Sequence, residues 1–489
     1  MKYKIISIGI ILIILCNIVV SADNPDNSTN LLSSWEQVNE DGFGQWTNRA
    51  PRGIIVFNNT LLVGTTANKY SDNEIRINIS WPFASSIKDL TDMMMNKRGV
   101  IGCEIWSYNK EEWTPLVANH SDALMPAGFG NENNYQIAVL IEYKGYLYAG
   151  TTNEITGCEV WRTKSINDSW ERVVSKGYRN KNNVWVMSAK VFNDELYMGT
   201  QNSFGLEIYK TNDGVNWDPV VSRKASLKPG FGNIKNICTY SMEIYDSNLF
   251  VGTANRWGCE LWKSIDGENW EPVIAYNNLI SSRLHKAVYP AGFGMLEIPG
   301  IRNMIVFNNE LYLLTASSYN ARYSLKIFNK ILSINGNFRA PPIRLIKYIQ
   351  SLGTKVFKYN STTNKITPLV VGPGKTVNNA GFGDKYNIYS WSVLVHDGHL
   401  YVGTFCPDPV EFTLERKKLL NWEFSIFFET GRAQIWRTSN GEDWEKVVGE
   451  GFEDNHNLGV RSLKVYNNDI YAVTTNLVTG CEVWKAKIS

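Results

Sequence analysis

Histidine is scarce in this 489-residue chain, with only His120, His285, His396, His399 and His456. None stands in an HExxH helix or near a CxxC pair, so no tetrahedral metal set can be read, and no GxSxG elbow or phosphate-binding loop occurs. Charge imbalance is also missing. A formal net charge of +2 excludes the broad basic surface of a nucleic-acid binder. No apolar run after residue 20 is long enough to span a bilayer. The sequence therefore yields no catalytic residue, no metal site and no cofactor, and leans away from an enzyme.

Residues 1–22 read as an export signal, with Lys2 and Lys4, an apolar run from Ile5 to Val20, and the small-residue pattern Val20-Ser21-Ala22. A polar leader follows over 23–34, and 35–489 reads as one domain. Export fits the Asn-x-Ser/Thr triplets at Asn27, Asn58, Asn78, Asn119, Asn167 and Asn360, and implies a secreted or cell-surface address. The mature chain keeps six cysteines. Cys103, Cys158, Cys259 and Cys481 fill one repeated slot on different units, which places them too far apart to pair and makes them small buried fillers.

The organising feature is a Gly-aromatic phrase, usually Gly-Phe-Gly, with its aromatic at Phe43, Phe129, Tyr178, Phe231, Phe293, Phe382 and Phe452. Between copies lie short runs rich in Val, Ile, Tyr and Trp, bounded by Gly, Asn and Asp, which is strand chemistry. In the second unit the strands, A to D from inside outward, are expected near Ile137–Tyr143, Tyr146–Thr151, Cys158–Thr163 and Trp170–Val174. This predicts an all-β, seven-bladed β-propeller with four antiparallel strands per blade. The last unit stops without a fourth strand, while Trp35-Glu36-Gln37-Val38 precedes the first phrase without A, B or C. The N-terminal segment is thus expected to supply the outer strand of the last blade and close the ring.

The turns at Asp213-Gly214, Asp266-Gly267 and Asn440-Gly441, each followed by Trp, resemble the Asp-box, or bacterial-neuraminidase repeat, of secreted sialidase-like propellers, though the usual form has an extra residue before the Gly. Whole units also resemble the GFGN...LYVGT...GCEIWR repeats of uncharacterised archaeal and bacterial secreted proteins. The resemblance implies a propeller and an extracellular address, and no reaction. A sialidase-like site would need an arginine cluster, an Asp acid and a Tyr–Glu pair. Arg52 after Pro51 only faintly echoes that family's Arg-Ile-Pro phrase, and nothing in the sequence places three arginines together.

Long insertions fall near 67–101, 275–291, 316–353 and 405–431, in B-to-C and D-to-A connections, which emerge on one face. That face is expected to be the working one. Between Leu311 and Gly383 there is no acidic residue, and Arg322, Lys326, Lys330, Arg344 and Lys347 form a basic patch, joined in the sixth-unit insertion by Trp422. These are the candidate ligand-binding residues. The plain alternative is that the insertions pack together as a cap over the channel mouth. The functional expectation is an exported binding or surface-interaction module for an anionic glycan or a cell-surface protein, not for nucleic acid. The alternative is a polysaccharide lyase or glycoside hydrolase acting on acidic glycans, for which His285 before Tyr289 is the one candidate. The recurring Glu of GCEVW, including Glu104, Glu159, Glu207, Glu260 and Glu482, is expected to bond backbone or basic partners between blades. The Asn residues at the B-strand exits, Asn68, Asn153 and Asn255, read as turn-formers.

Overall fold

Each repeat folds where its residues favour a pleated hairpin. Val, Ile, Leu and Tyr runs are separated by turns such as Asn308-Asn309, both at positive φ (48° and 60°), the pair a tight hairpin requires. In a computed structural model, the structure describes residues 35–67, 74–80, 102–276, 287–295, 297–317, 352–407, 412–418, 421–427 and 430–487. The expectations for the signal and leader lie outside them.

Among the described residues, pairing groups the strands into seven four-stranded antiparallel units. The second unit comprises Gln136–Tyr143, Tyr146–Thr152, Val160–Thr163 and Glu171–Val174. Its C strand starts after the expected Cys158, because the Cys158 backbone bonds instead to Asn183 and Gly177 of the neighbouring phrase, at 2.8 and 2.9 Å.

In the last unit the outer strand is Glu36–Gln37, paired with Val483–Lys487 through Glu36↔Lys485 and Gln37↔Trp484. The expected N-terminal contribution is therefore present. The exit of each B strand is also bridged to the next A strand: Thr66↔Gln136, Thr152↔Trp185, Gln201↔Cys238, Ala254↔Gly300, Ala316↔Tyr389 and Phe405↔Gly459. Between the seventh and first units, the Asn476 amide donates to the Arg49 carbonyl at 3.0 Å. Seven units and seven joints make a β-propeller with its innermost strands around a channel.

The repeated phrase is a strained turn held by packing. All seven aromatics sit at positive φ, between 56° and 62°. Such a conformation costs a bulky side chain about 1–2 kcal/mol. Stacking on the C-strand aromatic offsets the strain, as in Phe129 on Trp161 at 4.7 Å and Phe293 on Phe357 at 4.0 Å. The preceding backbone lies so close to the C strand that a Cβ on Gly102 would overlap the Gly128 amide.

Strands also form within the insertions. Glu74–Ser80, in the first unit's B-to-C connection, pairs with Asn421–Phe427 of the sixth unit's, which pairs with Phe412–Lys418. Two insertions thus share one three-stranded sheet, and the units carrying them flank the seventh.

Candidate functional site

A β-bulge adds one residue to a strand and re-aims its side chain, and six A strands carry one near their start. The bulged residues are Ala138, Met187, Tyr240, Arg302, Trp391 and Arg461. Arg52, just before the A strand of the first unit, occupies the matching place. Each lies nine positions after its phrase aromatic. One residue per unit is therefore delivered to the channel, and three of the seven are arginine.

These side chains converge. Arg302 lies over the Tyr240 ring at 4.8 Å, and Arg461 over Trp391 at 4.3 Å. Arg52 donates to the Met187 carbonyl at 2.7 Å and to its sulfur at 2.9 Å. Burial, and then the neighbouring Arg302 guanidinium, push Arg52 down to about 9. Burial, with Arg302 and Arg52 nearby, holds Arg461 well below the usual arginine range. Among the described residues no carboxylate pairs with the three, and the Arg461 Nε has no hydrogen-bond partner. Uncompensated like charge in a partly buried site is costly, and an anion placed there would relieve it. Burial pushes the phenols of Tyr240 and Tyr389 up, so neither is poised as a base at neutral pH.

The arginine-bearing strands are stitched together just behind the bulge. Ser241 Oγ donates to Ile301 O at 2.9 Å, Asn303 Nδ2 to Ser390 O at 2.7 Å, Ser392 Oγ to Val460 O at 2.9 Å, and Ser462 Oγ to Arg52 O at 2.9 Å. This chain of bonds runs from the fourth unit through the seventh to the first. It fixes Arg302, Trp391, Arg461 and Arg52 relative to one another.

Sequence reasoning missed this cluster. The arginines belong to the first, fifth and seventh units, and only the fold joins them. The signal was available in their constant distance from the phrase. The expected residues Arg322, Lys326, Lys330, Arg344 and Lys347 lie outside the described residues, as do Asn68 and His285. Trp422 falls in a described strand, opposite Ile79.

The recurring Glu proves structural: the expected backbone partner appears as the Asn119 N–H on Glu104 Oε1 at 3.0 Å, and an amide and an indole join it. Glu159 Oε2 accepts from Asn134 Nδ2 at 2.8 Å and Trp161 Nε1 at 2.9 Å, while Asn134 Nδ2 also donates to Gly128 O at 3.0 Å. The same triangle joins Glu104, Asn48 and Trp106, and Glu482, Asn457 and Trp484. One basic partner does occur, Arg172 on Glu159 at 3.1 Å. In the sixth unit Gln434 holds the slot and accepts from Asn387 and Trp436. The fifth unit changes both corners together, with Ile298 for Asn and Lys355 for Glu, and Lys355 lies 3.7 Å from Glu297. Asn153 and Asn255 cap their own turns as expected. All six described cysteines are buried, and the slot of Cys103, Cys158, Cys259 and Cys481 is held elsewhere by Leu206, Thr354 and Ala433, as a packing role allows. His396 and His399 flank a hairpin turn, where His399 Nδ1 lies 2.7 Å from the Asp397 carbonyl.

Together these features define a β-propeller with a cationic channel mouth. Comparison with protein-family models and with curated proteins returns no match. Solved structures with a similar architecture include virginiamycin B lyase from Staphylococcus aureus, at 7% identity and TM-score 0.47, covering 93% of this chain and 99% of that one. YCF48 from Cyanidioschyzon merolae matches at 11% identity and TM-score 0.45, covering 93% and 99%. A family PL25 ulvan lyase matches at 10% identity and TM-score 0.43, covering 92% and 95%. Likeness of this degree assigns no activity. No helix among the described residues is long and apolar enough to cross a membrane.

Proposed function

We propose that this chain is an exported binding module for an acidic carbohydrate, which it holds by a carboxylate or sulfate at the channel mouth. The carrying observation is the Arg52, Arg302 and Arg461 cluster, with no carboxylate partner among the described residues. Guanidinium groups recognise planar anions bidentately, and the exposed faces of a sugar ring stack on aromatics such as Tyr240, Tyr389 and Trp391. Arg322, Lys326, Lys330, Arg344, Lys347 and Trp422 are proposed as the outer part of the same surface, on the face where the B-to-C and D-to-A connections emerge.

The test is titration with D-glucuronate and with D-glucose at low and high salt, alongside turnover assays on polymeric uronates. Salt-sensitive binding of glucuronate alone, lost in an Arg302→Gln/Arg461→Gln double variant, supports the reading. Cleavage of a polymer would replace it with a lyase or hydrolase. Equal binding of both sugars would refute it.

A further inference from the structure

The B-to-C connections of the second, third and fourth units are short, and each is the same Asx turn. A buried Asn at the strand exit accepts, through Oδ1, the backbone N–H of the residue two positions on: Ile155 at 3.1 Å, Phe204 at 2.9 Å and Trp257 at 3.0 Å. The Asn holds the turn, so the apex side chain is free of any structural duty. Polar residues suit such an apex, yet Ile155, Phe204 and Trp257 stand there 70%, 53% and 45% exposed.

The three apices follow one another along an arc. The Asn153 N–H donates to Val184 O at 2.8 Å, and the Val184 N–H to Gln201 O at 3.0 Å; the Asn202 N–H donates to Ile237 O at 2.8 Å, and the Ile237 N–H to Ala254 O at 3.0 Å. These bonds step from Ile155 to Phe204 and from Phe204 to Trp257. The fourth unit's phrase loop adds Ile234 and Ile237, both exposed. Exposed apolar side chains gathered on one surface mark an interaction site.

Charge along the arc is almost entirely positive. Segments 175–183 and 222–237, which hold the phrase loops of the third and fourth units, contain no acidic residue and carry exposed Arg179, Lys181 and Lys235. Lys235 Nζ and the Arg256 guanidinium lie 5.7 and 4.8 Å from the centre of the Trp257 ring. Glu154, beside Ile155, is half-buried and accepts from Tyr135 Oη at 2.6 Å.

We propose that this arc docks the protein on an anionic lipid bilayer, with its apolar apices in the headgroup layer and the surrounding lysines and arginines on lipid phosphates. The aliphatic members favour lipid over sugar: Ile155, Ile234 and Ile237 have no flat face on which a sugar ring stacks. Aliphatic and Trp side chains flanked by Lys and Arg are what a bilayer interface accepts. The proposal is independent of the anion-binding reading of the mouth, which rests on bulged A-strand residues.

The experiment is co-sedimentation of the mature chain with vesicles of phosphatidylcholine alone and of phosphatidylcholine mixed with phosphatidylglycerol, at low and high salt. The protein should bind the mixed vesicles, bind phosphatidylcholine alone far more weakly, and release as salt rises. Phe204→Ser/Trp257→Ser and Lys181→Ser/Lys235→Ser should each weaken binding roughly tenfold or more, with melting temperatures unchanged because all four side chains are exposed. Arg302→Gln/Arg461→Gln should bind vesicles as wild type does. No binding to the mixed vesicles overturns the proposal, as does binding that survives loss of both apices. Loss of binding in the Arg302→Gln/Arg461→Gln variant alone would give the lipid phosphate to the mouth and overturn it too. Retention of the protein by a soluble polyuronate through Phe204 and Trp257, without vesicle binding, would assign the arc to a glycan instead.

Discussion

Replacing Glu482 by Gln should stabilise the protein at neutral and alkaline pH. Glu482 Oε2 accepts from Asn457 at 2.6 Å and Trp484 at 2.7 Å, and its other oxygen lies 3.5 Å from Asn476 Nδ2. Burial, and then the nearby Asp454 carboxyl, push Glu482 up to about 7. The folded state thus holds a proton that the unfolded chain releases near 4.5, so stability falls as pH rises between those values and stays reduced above them. A displacement from 4.5 to about 7 corresponds to ~3.5 kcal/mol at most, at ~1.4 kcal/mol per pH unit. Gln keeps both strong bonds, since Gln434 already accepts from Asn387 at 2.7 Å and Trp436 at 2.9 Å in the sixth unit. It also adds an N–H donor beside Asp454. Urea unfolding should therefore find Glu482→Gln about 1–3 kcal/mol more stable than wild type near pH 8, with the two converging toward pH 4.5. A variant that is less stable near pH 8, or a difference that does not change with pH, would refute the reasoning.

Gly214→Ala should cost about 2–4 kcal/mol, because a Cβ there meets the Tyr148 hydroxyl of the neighbouring unit at a φ of 77°. Gly130→Ala, at φ 81° with nothing nearby, should cost only about 1 kcal/mol, and thermal melts separate the two. Deleting 35–44 should abolish the cooperative unfolding transition, since that segment supplies the outer strand of the last unit, Trp35 against Phe452 at 5.3 Å, and Phe43 against Trp106 at 5.1 Å. Thiol titration should find Cys103, Cys158, Cys238, Cys259 and Cys481 unreactive when native and reactive in denaturant.

The propeller was legible because its repeat is dense in local signals: turn residues, β-branched runs and a phrase whose aromatic must stack. Even the contribution of Glu36–Gln37 could be read, from one strand too few at one end and one too many at the other. The mouth was less legible for a physical reason. Arg52 and Arg461 are far apart in the chain, and neither stands in a motif; what unites them is a bulge, a backbone irregularity that no composition signals. The amide partner of the Glu was missed because the Asn that follows six of the seven aromatics by five residues is a common turn residue by itself. Only its burial beside Glu159 or Glu482 reveals the amide as the second corner of a triangle. Pairing of Glu74–Ser80 with Asn421–Phe427 brings two insertions together, as the packing alternative had it, although no motif in either marks the partner strand.

The most direct test of an anion-binding channel mouth is a crystal structure of the mature protein with D-glucuronate. The sugar carboxylate should lie within hydrogen-bond distance of at least two of the guanidinium groups of Arg52, Arg302 and Arg461, with the ring against Trp391 or Tyr240. A carboxylate bound elsewhere, with the three arginines left without an anion, would contradict it.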